Sequence, residues 1–309
     1  MTDQPTSEIK GNADRFPLVS IGIPTYNGSA FIELAVQSVL KQDYEPKEIL
    51  ISDDCSTDNT AQVCEQLCMT HPGIKYFRQP KNIGLVRNFD FVLQHASGDL
   101  FMWVAHDDTL EPGILKKYTQ FLAHHPEYSL VSGQIRYWSD NKHVFYEKDL
   151  SLEQSSPSMR VLLYYSKVVH GAMYYGLQRG TTGRVIPLRN RIGDDWHFVA
   201  NLAYLGRIKN LDCVGYNKKL GGTSKNFKHY ATVIGATPFA AKFPRVRIAL
   251  DAFSEILFQS PVYKTLNAPS RFFLATACCT SILMKYYLVA YPFVIGGKLK
   301  RLFSRLLQS

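Results

Sequence analysis

Two pairs of adjacent aspartates each follow a short apolar run of the sequence. They are Asp53-Asp54 and Asp107-Asp108. Adjacent carboxylates repel each other, so both ionise readily only when a cation or hydrogen-bond donors lie between them. Carboxylate oxygens suit Mg²⁺ or Mn²⁺, and these ions commonly join protein carboxylates to diphosphate oxygens. The pairs therefore predict a site for a divalent metal and a phosphorylated ligand, whereas one such pair alone would equally fit a helix cap or a solvated surface.

The segments that would position these acids alternate between strand and helix. Strands are predicted at 18–23, 48–52, 74–77 and 100–105, and helices at 31–41, 57–69, 84–95 and 111–123. This alternation indicates an α/β fold with a mostly parallel sheet flanked by helices. Ligands of such sheets bind beyond the carboxyl ends of the strands, where both acidic pairs lie. Later elements are a strand at 128–138, a less regular region at 139–190, a helix at 194–205, a strand at 207–216 and helices after 226.

Two common phosphate-binding loops are absent from the sequence. No GxxxxGK[ST] string occurs, and the turn after the first predicted strand, Pro24 to Gly28, is not a GxGxxG loop. Neither a P-loop nor a Rossmann dinucleotide site is therefore supported. The charge of a diphosphate would instead be met by a metal ion and by side chains such as Arg87.

Five strings of the sequence occur in an order that is typical of one enzyme family. They occupy residues 24–27, 38–42, 51–58, 82–88 and 98–108. Together they resemble the inverting family-2 glycosyltransferases, which have the GT-A nucleotide-sugar-binding fold, and the resemblance covers roughly residues 17–222. It implies transfer of a sugar from a nucleoside-diphosphate sugar to an acceptor hydroxyl, with Mg²⁺ or Mn²⁺ as the cofactor.

The resemblance places the base of the donor near the first two strands. The segment from Pro24 to Asn27 would bind the nucleotide, with Thr25 and Tyr26 lining the base pocket. Asp54 would accept a hydrogen bond from the base, which would be uracil or another pyrimidine or purine.

The resemblance assigns the phosphate end of the donor to three further side chains. Arg87 would lie near the diphosphate, Asp107 would lie on the ribose side of a DxD-like motif, and Asp108 would hold the metal. A departing nucleoside diphosphate gains negative charge, which a divalent ion stabilises as a Lewis acid.

One string departs from the family pattern. The family often carries a Tyr-Arg-x-His loop near the donor phosphates, but residues 216–219 read Tyr-Asn-Lys-Lys. A histidine metal ligand is therefore absent there, and the lysine pair could face phosphate instead.

A third acidic pair, Asp194 and Asp195, opens a predicted helix. The string from Ile192 to Phe198 resembles the family's acidic-Asp-aromatic motif, in which the second acid is the base for the acceptor hydroxyl. In this alignment Asp195 is the catalytic base and Asp194 the first acid, and a slip of one residue would make Asp194 the base. A positioned base contributes about 10²–10⁴-fold to a rate. The alternative without catalysis is that both acids favour the positive end of the helix dipole.

The net charge of +9 is confined to the end of the chain. Residues 226–309 contain 11 Lys and Arg against two acids, together with the most apolar stretch, Phe272 to Gly297. This composition predicts that residues 270–309 dock on an anionic membrane surface rather than on nucleic acid. Lys285 and Pro292 disfavour a simple membrane span. The alternative is a helical pair that packs on the catalytic domain or on another subunit.

Three parts of the chain are predicted: a flexible leader at 1–16, a GT-A domain at 17–225, and a helical C-terminal extension at 226–309. Within the GT-A domain, the nucleotide-sugar half would end near residue 110 and the acceptor half would follow. The six cysteines form no CxxC pair, and the polar N-terminus has no secretory signal. These features predict a cytoplasmic protein at the cytoplasmic face of a membrane.

The sequence thus predicts a metal-dependent, inverting glycosyltransferase of cell-surface polysaccharide or glycolipid synthesis, with a glycan or lipid-linked acceptor. A sugar nucleotidyltransferase is one alternative, but it would be expected to carry a Gly-rich basic loop where Pro24 to Gly28 contains no Lys or Arg. A catalytically inactive binding module of the same fold is the other alternative, and the intact acids argue against it.

Overall fold

The computed structural model describes residues 16–139, 142–147, 150–221 and 227–289. The predicted leader, apart from Phe16, lies outside the described residues, as does the end of the extension at 290–309. Within the described ranges, nine strands form one sheet. They are β1 Val19–Thr25, β2 Lys47–Asp53, β3 Ile74–Arg78, β4 Leu100–Trp103, β5 Thr109–Leu110, β6 Tyr128–Ser139, β7 Lys142–Glu147, β8 Leu177–Arg179 and β9 Arg207–Lys219.

The helices alternate with these strands and then continue after the sheet is complete. They are α1 Ile32–Leu40, α2 Thr60–Thr70, α3 Leu85–Gln94, α4 Ile114–His124, α5 Pro157–Lys167, α6 Gly180–Arg184, α7 Asp194–Leu205, α8 Phe227–Val233, α9 Pro238–Lys242, α10 Pro244–Ser254 and α11 Ala268–Leu283. Short 3₁₀ turns at Ala172–Tyr175 and Val262–Thr265 and π-helical turns at Glu255–Gln259 and Met284–Val289 join them.

The first half of the sheet is parallel, in the order β3-β2-β1-β4. Every residue of β1 is buried, because strands flank it on both sides and helices cover both faces of the sheet. The chain moves outward from β1 through β2 and β3 and then returns to the other side of β1 as β4. This change of direction opens a crevice beyond the carboxyl ends of β1 and β4, where a ligand of such a sheet binds. The predicted α/β fold flanked by helices is confirmed.

The second half of the sheet is mixed. Strand β8 lies antiparallel between β4 and β6, and β5 and β7 are also antiparallel to their neighbours, whereas β6 and β9 are parallel. The prediction of parallel strands therefore holds for β1 to β4 and for the β6–β9 pair, but not for the sheet as a whole. Strand β8 has too few residues to carry a periodic apolar pattern, and it lies in region 139–190, for which the sequence predicts no regular element.

The helices after residue 227 pack against the sheet and its flanking helices. Ile248, Ala249, Cys278 and Ile282 are fully buried in the same apolar core as Trp103. Helix α11 lies against both α5 and α10. The helices of residues 227–289 thus pack on the domain, as in the alternative to membrane docking given above.

Lys285, the one charge in the apolar stretch, lies in this packed region. Its ammonium donates a hydrogen bond to the backbone carbonyl of Val168, and burial lowers its pKa to about 8. No helix in the described part of the chain combines the length and the apolarity that a membrane crossing requires.

Candidate active site

The carboxylate of Asp54 is fixed at the carboxyl end of β2 by backbone donors. Its Oδ1 accepts the N–H of Ile83 at 2.5 Å, and its Oδ2 accepts the N–H of Gly84 at 3.0 Å. Burial raises its pKa. Each carboxylate oxygen has a second lone pair, so Asp54 can still accept a hydrogen bond from a ligand.

The neighbouring Asp53 points into the fold. Its Oδ1 accepts the N–H of Ser56 at 2.9 Å, and its Oδ2 accepts the hydroxyl of Tyr76 at 3.0 Å. Asp53 is fully buried, so it braces the loop after β2. Of the first acidic pair, Asp54 is the member whose position suits a ligand.

The segment after β1 forms the wall of the crevice next to Asp54. Pro24 and Thr25 are buried at the end of β1, whereas Tyr26 is 46% exposed. Asn27 has a φ of 50° and donates its N–H to the Oγ of Ser56 at 2.8 Å, which ties this segment to the loop after β2. The buried Oγ1 of Thr25 has no hydrogen-bond partner within the described ranges.

Arg87 lies in the first turn of α3, close in sequence to the backbone donors of Asp54. Its side chain is exposed, and no protein group in the described residues pairs with its guanidinium. Asn88, the next residue, is buried and donates to the carbonyls of Thr25 and Ser52 at 3.2 and 2.9 Å. These bonds hold the ends of β1 and β2 together beside the exposed arginine.

Asp108 lies in an ion pair with a lysine from the far end of the sheet. Strand β5 directly follows it and pairs antiparallel with the end of β9, which brings Lys218 and Lys219 to its carboxylate. Its Oδ2 accepts from the Nζ of Lys218 at 3.2 Å, and its Oδ1 accepts from the N–H of Lys219 at 2.8 Å. The Lys218 ammonium also contacts the hydroxyl of Tyr175 at 3.4 Å and lies 4.4 Å from the centre of its ring.

The charge of Asp108 raises the pKa of the Lys218 ammonium well above its usual value. Lys218 is therefore a permanent cation at neutral pH. Its side chain is 16% exposed, against 1% for that of Asp108. Asp107 is less buried than Asp108, and no hydrogen bond to its carboxylate is found in the described ranges.

The residues around Asp108 do not fit a divalent cation. One of the two donors to the Asp108 carboxylate is itself a cation, and a divalent ion at this carboxylate would have to displace it. Among the residues that the structure describes, no group of three or more His, Cys, Asp or Glu side chains is arranged to hold a metal ion. The predicted role of Asp108 as metal ligand is thus at odds with its ion pair, and Asp107 carries the more accessible carboxylate of this pair.

The two acids of the third pair have different environments at the start of α7. Asp194 is buried, with Oδ1 accepting the Nε of Arg191 at 2.8 Å and Oδ2 accepting the N–H of Arg189 at 2.9 Å. Arg191 also donates to Glu255 at 2.8 Å, so Asp194 belongs to a buried network that ties α7 to the C-terminal helices.

In the part of the chain that the structure describes, no hydrogen bond or ion pair joins Asp195 to an arginine. Burial raises its pKa to about 7, against a smaller opposing effect from the backbone N–H of Trp196. A carboxylate with this pKa is suited to accept a proton at neutral pH. This difference favours Asp195 over Asp194 as a base.

Asp108 and Asp195 face a common space. Burial raises the pKa of both carboxyl groups, and the positive charge of Lys218 opposes part of that rise. The turn from Gly171 to Tyr175 runs between them: Gly171, with a φ of 74°, leaves room for Asp195, since a Cβ there would lie 2.7 Å from its Oδ2. The other end of the turn is Tyr175, which contacts Lys218.

The segment after β1 reaches the same crevice. A Cβ on Gly28 would lie 2.6 Å from the ring of His106, the residue before the second acidic pair. That segment is also tied to the loop beside Asp54, as described above. The segment after β1 thus lies between the loop beside Asp54 and the residue that precedes the second acidic pair.

Comparison with known proteins identifies the family of the chain. Residues 20–179 match the model of glycosyl transferase family 2. The chain belongs to this family. Among curated relatives, chondroitin synthase of Pasteurella multocida (strain Pm70) is 25% identical, with 71% of this chain and 22% of that protein aligned. The GalNAc(5)-diNAcBac-PP-undecaprenol beta-1,3-glucosyltransferase of Campylobacter jejuni is 35% identical, with 34% of each chain aligned.

Solved structures of glycosyltransferases share the fold. S. aureus TarS 1-349 in complex with UDP-GlcNAc aligns with a TM-score of 0.62 and 18% identity over 88% of this chain and 74% of its own. The mannosyltransferase PcManGT from Pyrobaculum calidifontis, in complex with GDP-Man and Mn²⁺, aligns with a TM-score of 0.55 and 18% identity over 94% and 82%. The family-2 domain thus has the predicted GT-A fold. The aligned part of the chain covers only 22–34% of the length of the two curated relatives above.

Three residues that lie beside the acids are not among the site residues predicted from the sequence: Lys218, Tyr175 and Gly171. The sequence did signal the first through the departure at residues 216–219. Tyr175 and Gly171 lie in the region without a regular pattern, so no local signal placed them beside the acids.

Proposed function

We propose that the protein transfers one sugar from a nucleoside-diphosphate sugar to the hydroxyl of an acceptor. The observation that carries this proposal is Asp195, a carboxylate with a pKa of about 7 at the start of α7 that shares its cleft with Lys218. A base and a cation on one cleft match the two charges that develop in glycosyl transfer, on the acceptor oxygen and on the leaving diphosphate.

The donor would extend from Asp54 to Lys218. Asp54 would accept from the base, as Asp54 has lone pairs left beyond its two backbone bonds. The exposed ring of Tyr26 would contact the base, Thr25 and Asn27 would shape the pocket, and the exposed guanidinium of Arg87 would approach the phosphates. Support for this class of donor comes from similar structures that contain UDP, UDP-GlcNAc or GDP-Man.

The transfer would be a single displacement. Asp195 takes the proton of the acceptor hydroxyl, and the oxygen forms a bond to the anomeric carbon. The bond from that carbon to the diphosphate oxygen breaks, and its electron pair stays on the diphosphate. One attack from the face opposite the leaving group inverts the anomeric centre. The Mg²⁺ or Mn²⁺ expected from the sequence has no step here, because Asp108 is paired with Lys218.

The acceptor would be a growing glycan or a lipid-linked saccharide of a cell-surface polysaccharide or glycolipid. The names of the relatives, a chondroitin synthase and a transferase whose name includes PP-undecaprenol, support this class. Release of the nucleoside diphosphate, with the donor sugar joined to the acceptor, would be the diagnostic product. Release of pyrophosphate would instead indicate a sugar nucleotidyltransferase.

We also propose that the protein meets the cytoplasmic face of a membrane through residues 270–309. In the described part of this segment, Phe272 and Phe273 are 56% and 76% exposed on α11. They belong to the region that carries the whole positive charge excess, as an interfacial anchor requires. Flotation with anionic vesicles tests this: the protein should float with them, and replacing both phenylalanines by serine should weaken flotation. Failure of the unchanged protein to float would refute it.

The function itself is tested by screening nucleotide sugars with the purified protein. A thermal-shift screen identifies the donor, because a ligand that binds only the folded state raises its melting temperature by mass action. The product of the best donor is then analysed by NMR, which reports the anomeric configuration. We expect nucleoside diphosphate and an inverted linkage. Absence of binding and of hydrolysis with every common nucleotide sugar would indicate an inactive binding module.

A further inference from the structure

We propose that Lys218 supplies the positive charge that receives the departing diphosphate, so that the reaction proceeds without a divalent metal. This inference rests on the proposed function and specifies how its leaving group is stabilised. It replaces the metal expected from the sequence with a cation that belongs to the chain.

The first argument is the position of the ammonium. Lys218 is held between the carboxylate of Asp108, at 3.2 Å, and the hydroxyl of Tyr175, at 3.4 Å. An ammonium has three N–H donors, and these contacts use two of them. One donor is left for a ligand oxygen, and the side chain that carries it is 16% exposed.

The second argument is that a metal ion would compete with this lysine. A divalent ion on Asp108 would have to displace the Lys218 ammonium, and the ammonium would then lose its main counter-charge in a buried site. Breaking a buried ion pair in this way is strongly unfavourable. A divalent ion on Asp107 would instead lie beside an ammonium that the charge of Asp107 itself helps to stabilise.

The third argument is a second lysine next to the first. The Nζ of Lys219 lies 3.3 Å from the centre of the ring of Phe31, which comes directly before α1 and just after the proposed nucleotide segment. Lys218 and Lys219 together carry the two positive charges of one divalent ion.

In the transfer step, Lys218 keeps its proton. The acceptor proton goes to Asp195, the new bond forms at the anomeric carbon, and the electron pair of the broken bond stays on the diphosphate oxygen. Lys218 donates a hydrogen bond to that oxygen as its charge grows. Because the ammonium is already oriented by Asp108 and Tyr175, it needs no reorganisation at this point.

Calorimetric titration with UDP and with GDP, in excess EDTA and in excess Mn²⁺, tests the inference on the unmodified chain. We expect at least one of them to bind, with an affinity in EDTA within about twofold of that in Mn²⁺, a difference well below one lost charged hydrogen bond. Binding that requires Mn²⁺ would overturn the inference and leave the proposed function intact. Absence of binding under every condition would overturn both.

Variants of the lysine provide the second arm. In EDTA, Lys218→Gln should weaken binding by about 10- to 100-fold, the effect of losing one charge-assisted hydrogen bond. Lys218→Arg should retain most of the affinity. Lys209→Gln is the matched control, since Lys209 is on the same strand and is paired with Glu153. Circular dichroism establishes that each variant is folded. Unchanged EDTA affinity in folded Lys218→Gln would also overturn the inference.

Discussion

Asp54, in the β1–β4 half of the sheet, is held differently from Asp108 and Asp194. Asp54 accepts from the backbone N–H groups of Ile83 and Gly84, whereas Asp108 and Asp194 each accept one backbone N–H and one bond from a side-chain cation, Lys218 or Arg191. Backbone donors carry no titratable charge and survive most substitutions. Side-chain cations bring charge to the site and can be removed by a single substitution.

A second contrast exists within each acidic pair. Asp53, Asp108 and Asp194 each accept a hydrogen bond from another side chain, whereas in the described residues no such bond is found to their neighbours Asp54, Asp107 and Asp195. Each pair thus holds one carboxylate that is bonded to another side chain and one that is not. Adjacent identical residues with opposite environments provide matched variants for testing this division.

The contrast between Asp195 and Asp194 should give the largest effect. Asp195→Asn removes the base and should lower kcat by about 10²–10⁴-fold, with donor affinity unchanged. Asp194→Asn should mainly lower stability, since the carboxylate it removes is bonded to Arg191 and not exposed to substrate. Steady-state kinetics and calorimetric donor titration on both variants measure this. The reverse pattern, with turnover lost in a folded Asp194→Asn protein only, would contradict the assignment.

Removing the side-chain cation that binds Asp194 should cause a large loss of stability. Arg191→Met leaves the buried carboxylate of Asp194 without its cation and leaves Glu255 with only the more distant Arg189, at 3.5 Å. It should lower the free energy of unfolding by about 3–5 kcal/mol. Urea denaturation measures the change. Arg207→Met is the control: its guanidinium is exposed, pairs with Glu127 at 3.8 Å, and should cost less than about 1 kcal/mol. Equal losses of unfolding free energy in the two variants would contradict this difference between the buried and the exposed ion pair.

The donor end of the site should show a smaller effect. Asp54→Ala removes one charged hydrogen-bond acceptor for the base and should weaken nucleotide binding by about 1.5–3 kcal/mol. Asp43→Ala, at a surface carboxylate that lies 3.7 Å from Lys116, should leave binding unchanged. Calorimetric titration with UDP or GDP compares the two. Undiminished affinity in folded Asp54→Ala would place the base elsewhere.

The sequence predicted those parts of the fold whose signals are local. Strands β1 to β4 end within two residues of the predicted positions because each is a short apolar run between helices, and α7 occupies the predicted range. Helix α2 starts at Thr60, later than predicted, because the side chain of Asp58 bonds the N–H of Thr60 before the helix begins.

The ion pair between Asp108 and Lys218 had no such signal. The two residues are 110 positions apart, and they meet only because β5 and β9 pair. The sequence alone therefore predicts a metal site at Asp107-Asp108. Two adjacent carboxylates indicate that a cation lies nearby, but their spacing does not show whether that cation is a metal ion or a lysine. The same limit applies to the tail, whose apolar and basic composition gave no indication that residues 244–283 would be tied to α7 through Arg191 and Glu255.

The pH dependence of a single turnover, with saturating donor and acceptor, tests most directly whether Asp195 is the base of this cleft. Its pKa of about 7 lies above the usual value, and the deprotonated form accepts the acceptor proton. The rate should therefore rise about tenfold per pH unit below 7 and level off above it, and this rise should disappear in Asp195→Asn. A rate that is constant from pH 5 to pH 8, or an unchanged profile in Asp195→Asn, would contradict the assignment.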